Sequence, residues 1–123
     1  AVLATTESTV PWSTIMIRKS FGVAAAAHYG PDGYVLAWPS AESGPLPLEG
    51  GVAVAFKKEI ASAENPEAKR KELEEKMAKN QNPFPRAEAF SVHEIIDPRE
   101  TRKYIALWAE RIQSQLRAKL VSR

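Results

Sequence analysis

The passage of this sequence best suited to chemistry runs from Phe21 to Ala27. Phe21-Gly22 closes a segment typical of a strand, and Val23 is followed by four consecutive alanines, the best helix formers. Glycine tolerates the positive φ of a tight strand-to-helix turn, and the first amides of a helix have no partner within it. Such amides can bind a negatively charged oxygen. The small side chains leave two interpretations open: close approach of a bulky ligand, or tight packing against another backbone.

Catalysis by side chains has little support in the composition or the motifs. The chain contains no cysteine, which removes disulfides, thiolate metal ligands and thiol nucleophiles. Its two histidines, His28 and His93, are too few for a metal cluster without carboxylates at fixed spacing. We interpret His93 as a partly buried residue with satisfied hydrogen bonds. The sequence contains neither a glycine-rich phosphate loop nor a G-x-S-x-G elbow, so the backbone amides after Gly22 remain the candidate site.

The charge pattern argues against nucleic acid and membrane partners. The formal net charge is +2, and the 17 basic residues are interleaved with 15 acidic ones, so they form no stripe of one sign. No apolar run approaches the roughly 18 residues that a membrane-spanning helix needs. The hydrophobic content of 44% is that of an ordinary globular protein.

Short strands and turns are predicted around the Gly22 turn. Ser13 to Lys19 alternates apolar and polar residues, which predicts a strand before the turn. Gly30-Pro31-Asp32-Gly33 predicts a turn after the alanine helix, and residues 34–38 predict a second, buried strand. Glycine and proline over residues 43–47 predict a loop. Residues 49–63 follow with helical spacing of apolar residues, although an alternating Val-Ala pattern within them also permits a strand.

A charged helix is predicted to follow Asn65-Pro66. Asn65 is suited to the N-cap and Pro66 to the first helical position. Residues 67–79 have a narrow apolar edge and read as a solvated outer helix, with pairs Glu72–Lys76 and Glu75–Lys79 at i,i+4 spacing. In the break that follows, we expect Phe84 to fill a pocket.

The end of the chain predicts one long helix. Ala87 to Ile96 suggests a helical turn or two, and Asp97-Pro98 marks the start of a helix that runs to about Leu120. Four apolar residues form a stripe along this helix: Ile105, Trp108, Ile112 and Leu116. The stripe could face a partner helix, but we expect it to face the core of the chain itself. Residues 1–9 resemble the end of a helix whose beginning is missing, so we expect a fragment of a longer protein.

Four stretches taken together resemble a known family. They are RKSFG (18–22), AWPSAE (37–42), NPFP (82–85) and IIDPRETR (95–102), in this order and at suitable spacing. This ordered set resembles the carboxyl-terminal half of the carboxyltransferase (β) subunit of biotin-dependent acyl-CoA carboxylases, the propionyl-CoA, acetyl-CoA and methylcrotonyl-CoA carboxylase group. The resemblance covers nearly the whole chain, from about Ser8 to Arg111.

The resemblance implies the fold and the assembly. It implies an α/β fold with short strands and several helices, part of a crotonase-like domain of repeated ββα units. Residues 1–123 would form the second half of the carboxyl-terminal domain. The family implies a homo-oligomer of full-length subunits, expected to be a hexamer, with an active site between domains of two subunits. The partners implied are an acyl-CoA substrate and a biotinyl or biotin carboxylase subunit, in the cytoplasm or, in a eukaryote, the mitochondrial matrix.

The resemblance also assigns roles to the residues of the turn. The amides of Val23 and Ala24 would form an oxyanion hole for biotin, carried on the partner, while Gly22, Ala25 and Ala26 would contact this cofactor. In family members related to propionyl-CoA carboxylase an acidic residue often stands at the position of Ala26, so the acyl group is left open here.

Three functions remain open at this point. The first is carboxyl transfer from carboxybiotin to the α carbon of an acyl-CoA. The second is a biotin-dependent acyl-CoA decarboxylase that runs the transfer backwards. The third is an assembly role without turnover for the isolated fragment, which would lack the oxyanion hole for the acyl-CoA.

Overall fold

The computed structural model of the chain describes residues 2–30 and 33–121. The mixed α/β fold with short strands and several helices confirms the predicted fold class. Its strands are β1 (Ser13–Met16), β2 (Lys19–Phe21), β3 (Tyr34–Ala37), β4 (Glu42–Gly44) and β5 (Glu94–Ile95). Its helices are α1 (Val2–Thr6), α2 (Gly22–Ala26), α3 (Leu48–Ala55), α4 (Lys57–Ala61), α5 (Pro66–Ala78), α6 (Pro83–Glu88) and α7 (Thr101–Val121).

The strands form two small parallel sheets. One sheet has the order β1-β3-β5, and the other pairs β2 with β4. The central strand β3 is the most deeply buried, with Leu36 and Ala37 fully inaccessible to solvent. A core cluster of Met16, Val35, Ala37, Ala41 and Val92 packs around it. The predicted strand over 34–38 is therefore confirmed as the centre of the fold.

The single strand predicted over 13–19 is divided in two. The chain bends at Ile17 and Arg18, so that β1 pairs with β3 while β2 pairs with β4. Ser40 Oγ donates a hydrogen bond of 2.8 Å to the Ile17 carbonyl and holds this bend. The loop predicted over 43–47 is wrong in its first part, because residues 43–44 belong to β4, which pairs with β2. The predicted turn over residues 30–33 includes Pro31 and Asp32, which lie outside the described residues.

The helices of the middle of the chain largely follow the prediction. The helix expected over 49–63 is present but divides at Phe56 into α3 and α4. Helix α5 begins as predicted, with Asn65 Oδ1 accepting a hydrogen bond of 3.1 Å from the Ala68 amide. The predicted pairs Glu72–Lys76 and Glu75–Lys79 are wrong for the described side chains; Glu72 pairs with Lys69 instead. The ion pairs of this helix are Lys69–Glu59, Lys69–Glu72 and Arg70–Glu74.

Two predictions near α6 are wrong. Phe84 is 56% exposed and fills no pocket, because the buried residue at the start of α6 is Pro83. The helical turn expected over 87–96 ends at Glu88, and the chain leads through Phe90 into β5. The reason is the closure of α6, where Ser91 N donates to the Arg86 carbonyl at 2.9 Å and Phe90 N to the Ala87 carbonyl at 3.0 Å.

The last helix begins where the sequence predicts. Asp97 Oδ1 accepts a hydrogen bond of 2.8 Å from Arg99 N, and a 3₁₀ turn over Pro98–Glu100 leads into α7. The apolar stripe is only partly covered: Trp108 and Ile112 are half-buried, while Ile105 and Leu116 are each 40% exposed. The expectation that the stripe packs on the core is thus wrong for much of its length. Among the described helices, none is long and apolar enough to cross a membrane.

Candidate functional site

A turn between β2 and α2 forms the centre of the candidate site. Phe21 is extended, with φ −122° and ψ 146°, and Gly22 follows with φ 75°. A side chain at this position would not clash with its surroundings, because the atom nearest to an added Cβ is the Pro45 carbonyl oxygen at 3.7 Å. The requirement is the left-handed backbone, which only glycine adopts without strain. The predicted strand–glycine–helix passage is therefore present.

The amides of Val23 and Ala24 lie in the first turn of α2. The first amides of a helix have no acceptor within it. Within the described part of the chain, neither amide donates to a carbonyl or side chain outside the helix. The Val23 side chain is 71% exposed, Ala24 and Ala26 are exposed and Ala25 is half-buried. Most of the residues at this end of α2 therefore lie at the surface of the protein.

Two open cavities lie beside α2, and the predicted residues divide between them. Gly22, Val23 and Ala26 line a cavity of about 310 Å³. Ala24 and Ala25 line another, of about 440 Å³, together with residues of β1 and β2. All five predicted residues thus lie at the surface of these cavities, although no single cavity contains them all. Of the two interpretations of the alanines, the close approach of a ligand agrees with this exposure.

The α2 segment is held in place by contacts that the sequence does not reveal. The Tyr29 hydroxyl lies 3.0 Å from Ser20 Oγ and donates to Met16 Sδ at 3.3 Å. Thr14 Oγ1 donates to the His28 carbonyl at 2.6 Å. These bonds join the 3₁₀ turn over Ala27–Tyr29, which follows α2, to β1 and β2. Ser20 and Tyr29 also line the 310 Å³ cavity.

The opposite wall of this cavity comes from distant parts of the chain. Pairing of β4 with β2 brings Gly44 and Pro45 to it, and α6 brings Arg86. The buried residue Gln81 holds the segment that contains Gly44 and Pro45. Its side-chain Nε2 donates to the Leu46 carbonyl at 3.0 Å, and its backbone carbonyl accepts a hydrogen bond from Ser43 N at 2.8 Å. Sequence reasoning missed Arg86, because its place beside α2 depends on strand pairing and not on any local motif.

His93 lies outside these cavities and makes structural contacts. Its Nδ1 accepts a hydrogen bond of 3.0 Å from Val35 N, and its own amide donates to the Val35 carbonyl at 2.8 Å. Its ring lies 5.3 Å from that of Tyr34. The residue therefore extends the pairing of β5 with β3, and its hydrogen bonds are satisfied as predicted. The prediction that it is partly buried is wrong: His93 is exposed, because it lies beside β5 at the edge of the sheet.

Comparison with known proteins places the chain in a family. The carboxyl transferase domain matches residues 1–123. The chain is 39% identical over 107 residues to the methylmalonyl-CoA carboxyltransferase 12S subunit of Propionibacterium freudenreichii subsp. shermanii, covering 84% of this chain and 20% of that protein. It is 36% identical over 107 residues to the methylmalonyl-CoA decarboxylase subunit alpha of Propionigenium modestum, covering 83% of this chain and 20% of that protein. The chain thus spans about a fifth of the length of these relatives.

The fold agrees with the sequence comparison. A crystal structure of transcarboxylase 12S, a hexamer with methylmalonyl-coenzyme A and methylmalonic acid bound, matches with a TM-score of 0.76 at 36% identity. That match covers 92% of this chain and 22% of the other. The fold is therefore crotonase-like, as the resemblance implied, and the chain belongs to the carboxyl transferase domain family.

Proposed function

We propose that this chain forms the biotin-binding half of an active site that transfers a carboxyl group from carboxybiotin to the α carbon of an acyl-CoA. The observation that carries the proposal is the open first turn of α2, where the amides of Val23 and Ala24 have no acceptor outside the helix in the described chain. The reaction class comes from the relatives, which are named as methylmalonyl-CoA and propionyl-CoA carboxyl-transferring enzymes. The chain would be the second half of the carboxyl-terminal domain of such a subunit.

The residues beside α2 fit a small ring system such as that of biotin. The cavity of about 310 Å³ lies at the small end of the roughly 300–1,000 Å³ range of ligand sites. Gly22, Ala26 and Gly44 on its walls leave room for a flat ring beside Val23, which lines the same cavity, while Ala24 lines the other cavity beside α2. Biotin, carried by a partner subunit, would supply the carboxyl group and an oxygen that gains negative charge as this group leaves.

The chain's own contribution is to position two backbone donors. The Gly22 turn fixes the amides of Val23 and Ala24 before any ligand binds, so no reorganisation is needed during the reaction. Donors aimed at an oxygen that gains charge bind it more strongly in the transition state than in the ground state. One such donor typically contributes about 3 kcal/mol. This role requires no titrating side chain at the turn.

The rest of the active site would come from outside these residues. The acyl-CoA would bind to a second oxyanion hole in another domain. A different subunit of a homo-oligomer, which we propose to be a hexamer, would contribute that domain. The biotinyl subunit would reach the α2 cavity from the solvent side, where Val23 is exposed.

The substitution Val23→Pro tests the proposal, because it deletes one amide donor. Proline is tolerated in the first turn of a helix, where the N–H has no intrahelical acceptor, and the Val23 side chain is 71% exposed. In the complete gene product we expect carboxyl transfer to fall by about 100-fold with little change in acyl-CoA affinity. The control is Val23→Ala, which keeps the amide and should retain most of the activity. Unchanged transfer in a folded Val23→Pro variant would remove this amide from the mechanism.

Decarboxylation is the second candidate function. It is favoured by the 36% identity to the methylmalonyl-CoA decarboxylase subunit alpha. The two candidate functions differ in the direction of carboxyl transfer. The complete gene product and its biotinyl partner should therefore be incubated with a panel of acyl-CoAs, labelled bicarbonate and ATP. A carboxylase incorporates labelled bicarbonate into an acyl-CoA, whereas a decarboxylase consumes a carboxylated acyl-CoA without ATP.

A further inference from the structure

Arg86 carries a buried donor that has no acceptor. Its backbone is fixed at the end of α6, where its carbonyl accepts hydrogen bonds from Ser91 N at 2.9 Å and Ser91 Oγ at 3.0 Å. Its side chain is half-buried, and its Nε is buried without a hydrogen-bond partner among the residues that the structure describes. A buried guanidinium donor left unpaired is destabilising. Such a group in a native fold requires an explanation.

Unlike Arg70 and Arg99, Arg86 forms no ion pair with a carboxylate of the described residues. Arg70 Nε lies 2.8 Å from Glu74 Oε1, and Arg99 Nη2 lies 2.6 Å from Asp97 Oδ2. Those pairs are local, on the same helix or two residues apart. Arg86 instead lines two neighbouring cavities, of about 310 Å³ and about 400 Å³, that share Gly44 and Pro45. The cation is therefore placed where a ligand could reach it.

The smaller of these cavities is the one that Gly22, Val23 and Ala26 line. We propose that Arg86 binds the carboxylate of the ligand that occupies this cavity. The planar guanidinium matches a carboxylate with two parallel hydrogen bonds, and a bound anion would balance the charge of this unpaired cation. The inference deepens the proposed function and rests on it: the amides of α2 would hold one oxygen of the ligand, and Arg86 the carboxylate.

This carboxylate could have two sources in the proposed reaction. It could be the carboxyl group on the biotin ring, or the free carboxylate of the carboxylated acyl-CoA. Both are planar anions of the same size, so the cavity wall alone does not separate them. Ligand pairs that differ only in the carboxylate do separate them.

The test measures dissociation constants by calorimetry on the complete gene product, wild type and Arg86→Met. The ring source is represented by (2-oxoimidazolidin-1-yl)acetate and its uncharged amide. The acyl source is represented by methylmalonyl-CoA and by propionyl-CoA, which lacks the carboxylate. Arg117→Met is the matched control, since Arg117 is exposed on α7. If Arg86→Met does not fold, Arg86→Lys keeps the charge but removes Nε and the planar fork.

We expect Arg86→Met to weaken binding of one charged probe by about tenfold or more, with no change for its uncharged counterpart. The affected pair identifies the source of the carboxylate. If a folded variant binds both charged probes as tightly as the wild type does, the assignment is overturned. Equal weakening of the charged and uncharged probes would overturn it too. In either case, measurable transfer by the wild type leaves the proposed function standing. A wild-type protein that binds none of the four probes overturns the proposed function and this assignment together.

Discussion

Phe90 holds a backbone conformation that glycine usually adopts after a helix. Its φ is 56°, and it follows the last turn of α6, where the amides of residues 90 and 91 return to the Ala87 and Arg86 carbonyls. This pattern of bonds is the Schellman motif, in which a left-handed residue closes the helix. The left-handed conformation costs a residue with a Cβ roughly 1–2 kcal/mol. Phe90 therefore holds Arg86 in position at a cost in stability.

The substitution Phe90→Gly should stabilise the protein by about 0.5–1 kcal/mol. Glycine removes the steric cost, part of which is offset by its greater freedom in the unfolded chain. Little packing is lost, because Phe90 is 90% exposed. The measurement is the free energy of unfolding in urea, with Phe90→Ala as the control that removes the ring and keeps the Cβ. A Phe90→Gly variant no more stable than Phe90→Ala would show that the backbone is not strained.

Residue-level prediction succeeds where the signal is local. The amides of Val23 and Ala24 could be singled out because a glycine followed by alanines specifies a turn and a helix start within a few residues. Phe84 is predicted to fill a pocket, yet it is 56% exposed, because burial depends on what the fold places around a side chain. Arg86 could not be recognised, because only the pairing of β2 with β4 and the position of α6 bring it beside α2.

At the scale of elements, the edge strand β5 is held by hydrogen bonds of side chains as well as by those of its backbone. It has two residues, and its pairing with β3 is extended by the hydrogen bond from Val35 N to His93 Nδ1. The Tyr34 hydroxyl donates to Glu94 Oε1 at 2.6 Å across the same two strands. The sequence could not predict this strand, because two residues carry no periodic pattern and the partner β3 lies far away in the chain.

Alkaline pH should weaken this pairing. Burial, together with the hydrogen bond to the Glu94 carboxylate, raises the pKa of Tyr34 to about 12 from 10.0. Between these values the unfolded chain loses the phenol proton while the folded chain keeps it, so stability falls as the pH rises. We expect the wild type to lose stability between about pH 10 and about pH 12 more steeply than Tyr34→Phe. Parallel curves for the two proteins, measured by denaturant unfolding across that range, would contradict this origin of the pKa shift.

Helix starts are the elements that the sequence predicts best. The N-caps at Asn65 and Asp97 both accept the hydrogen bonds expected of them, because a cap is formed by residues two or three positions apart. Strands β4 and β5 depend instead on partners elsewhere in the chain and were missed. The prediction was therefore accurate for local structure and incomplete for the walls of the site, which distant segments build.

On the scale of the whole molecule, the described residues leave apolar surface uncovered. The stripe on α7 is only partly buried, and Val54 on α3 is 79% exposed. The matched residues cover only 20% of the length of the relatives, so most of each relative lies outside the matched region. In the proposed function, the remaining surfaces and the acyl-CoA site belong to segments and subunits outside residues 1–123.

A polypeptide of residues 1–123 alone should therefore transfer no carboxyl group to an acyl-CoA. The proposed site needs two oxyanion holes, and these residues contribute only the amides of Val23 and Ala24. The assay measures malonyl-CoA and methylmalonyl-CoA formed from acetyl-CoA and propionyl-CoA with the biotinyl partner, and the complete gene product serves as the positive control. A helical circular dichroism signal that is lost in one cooperative transition on heating establishes that the polypeptide is folded. Measurable turnover by the folded polypeptide would mean that the acyl-CoA site lies within these residues, and would refute the division of the active site between domains.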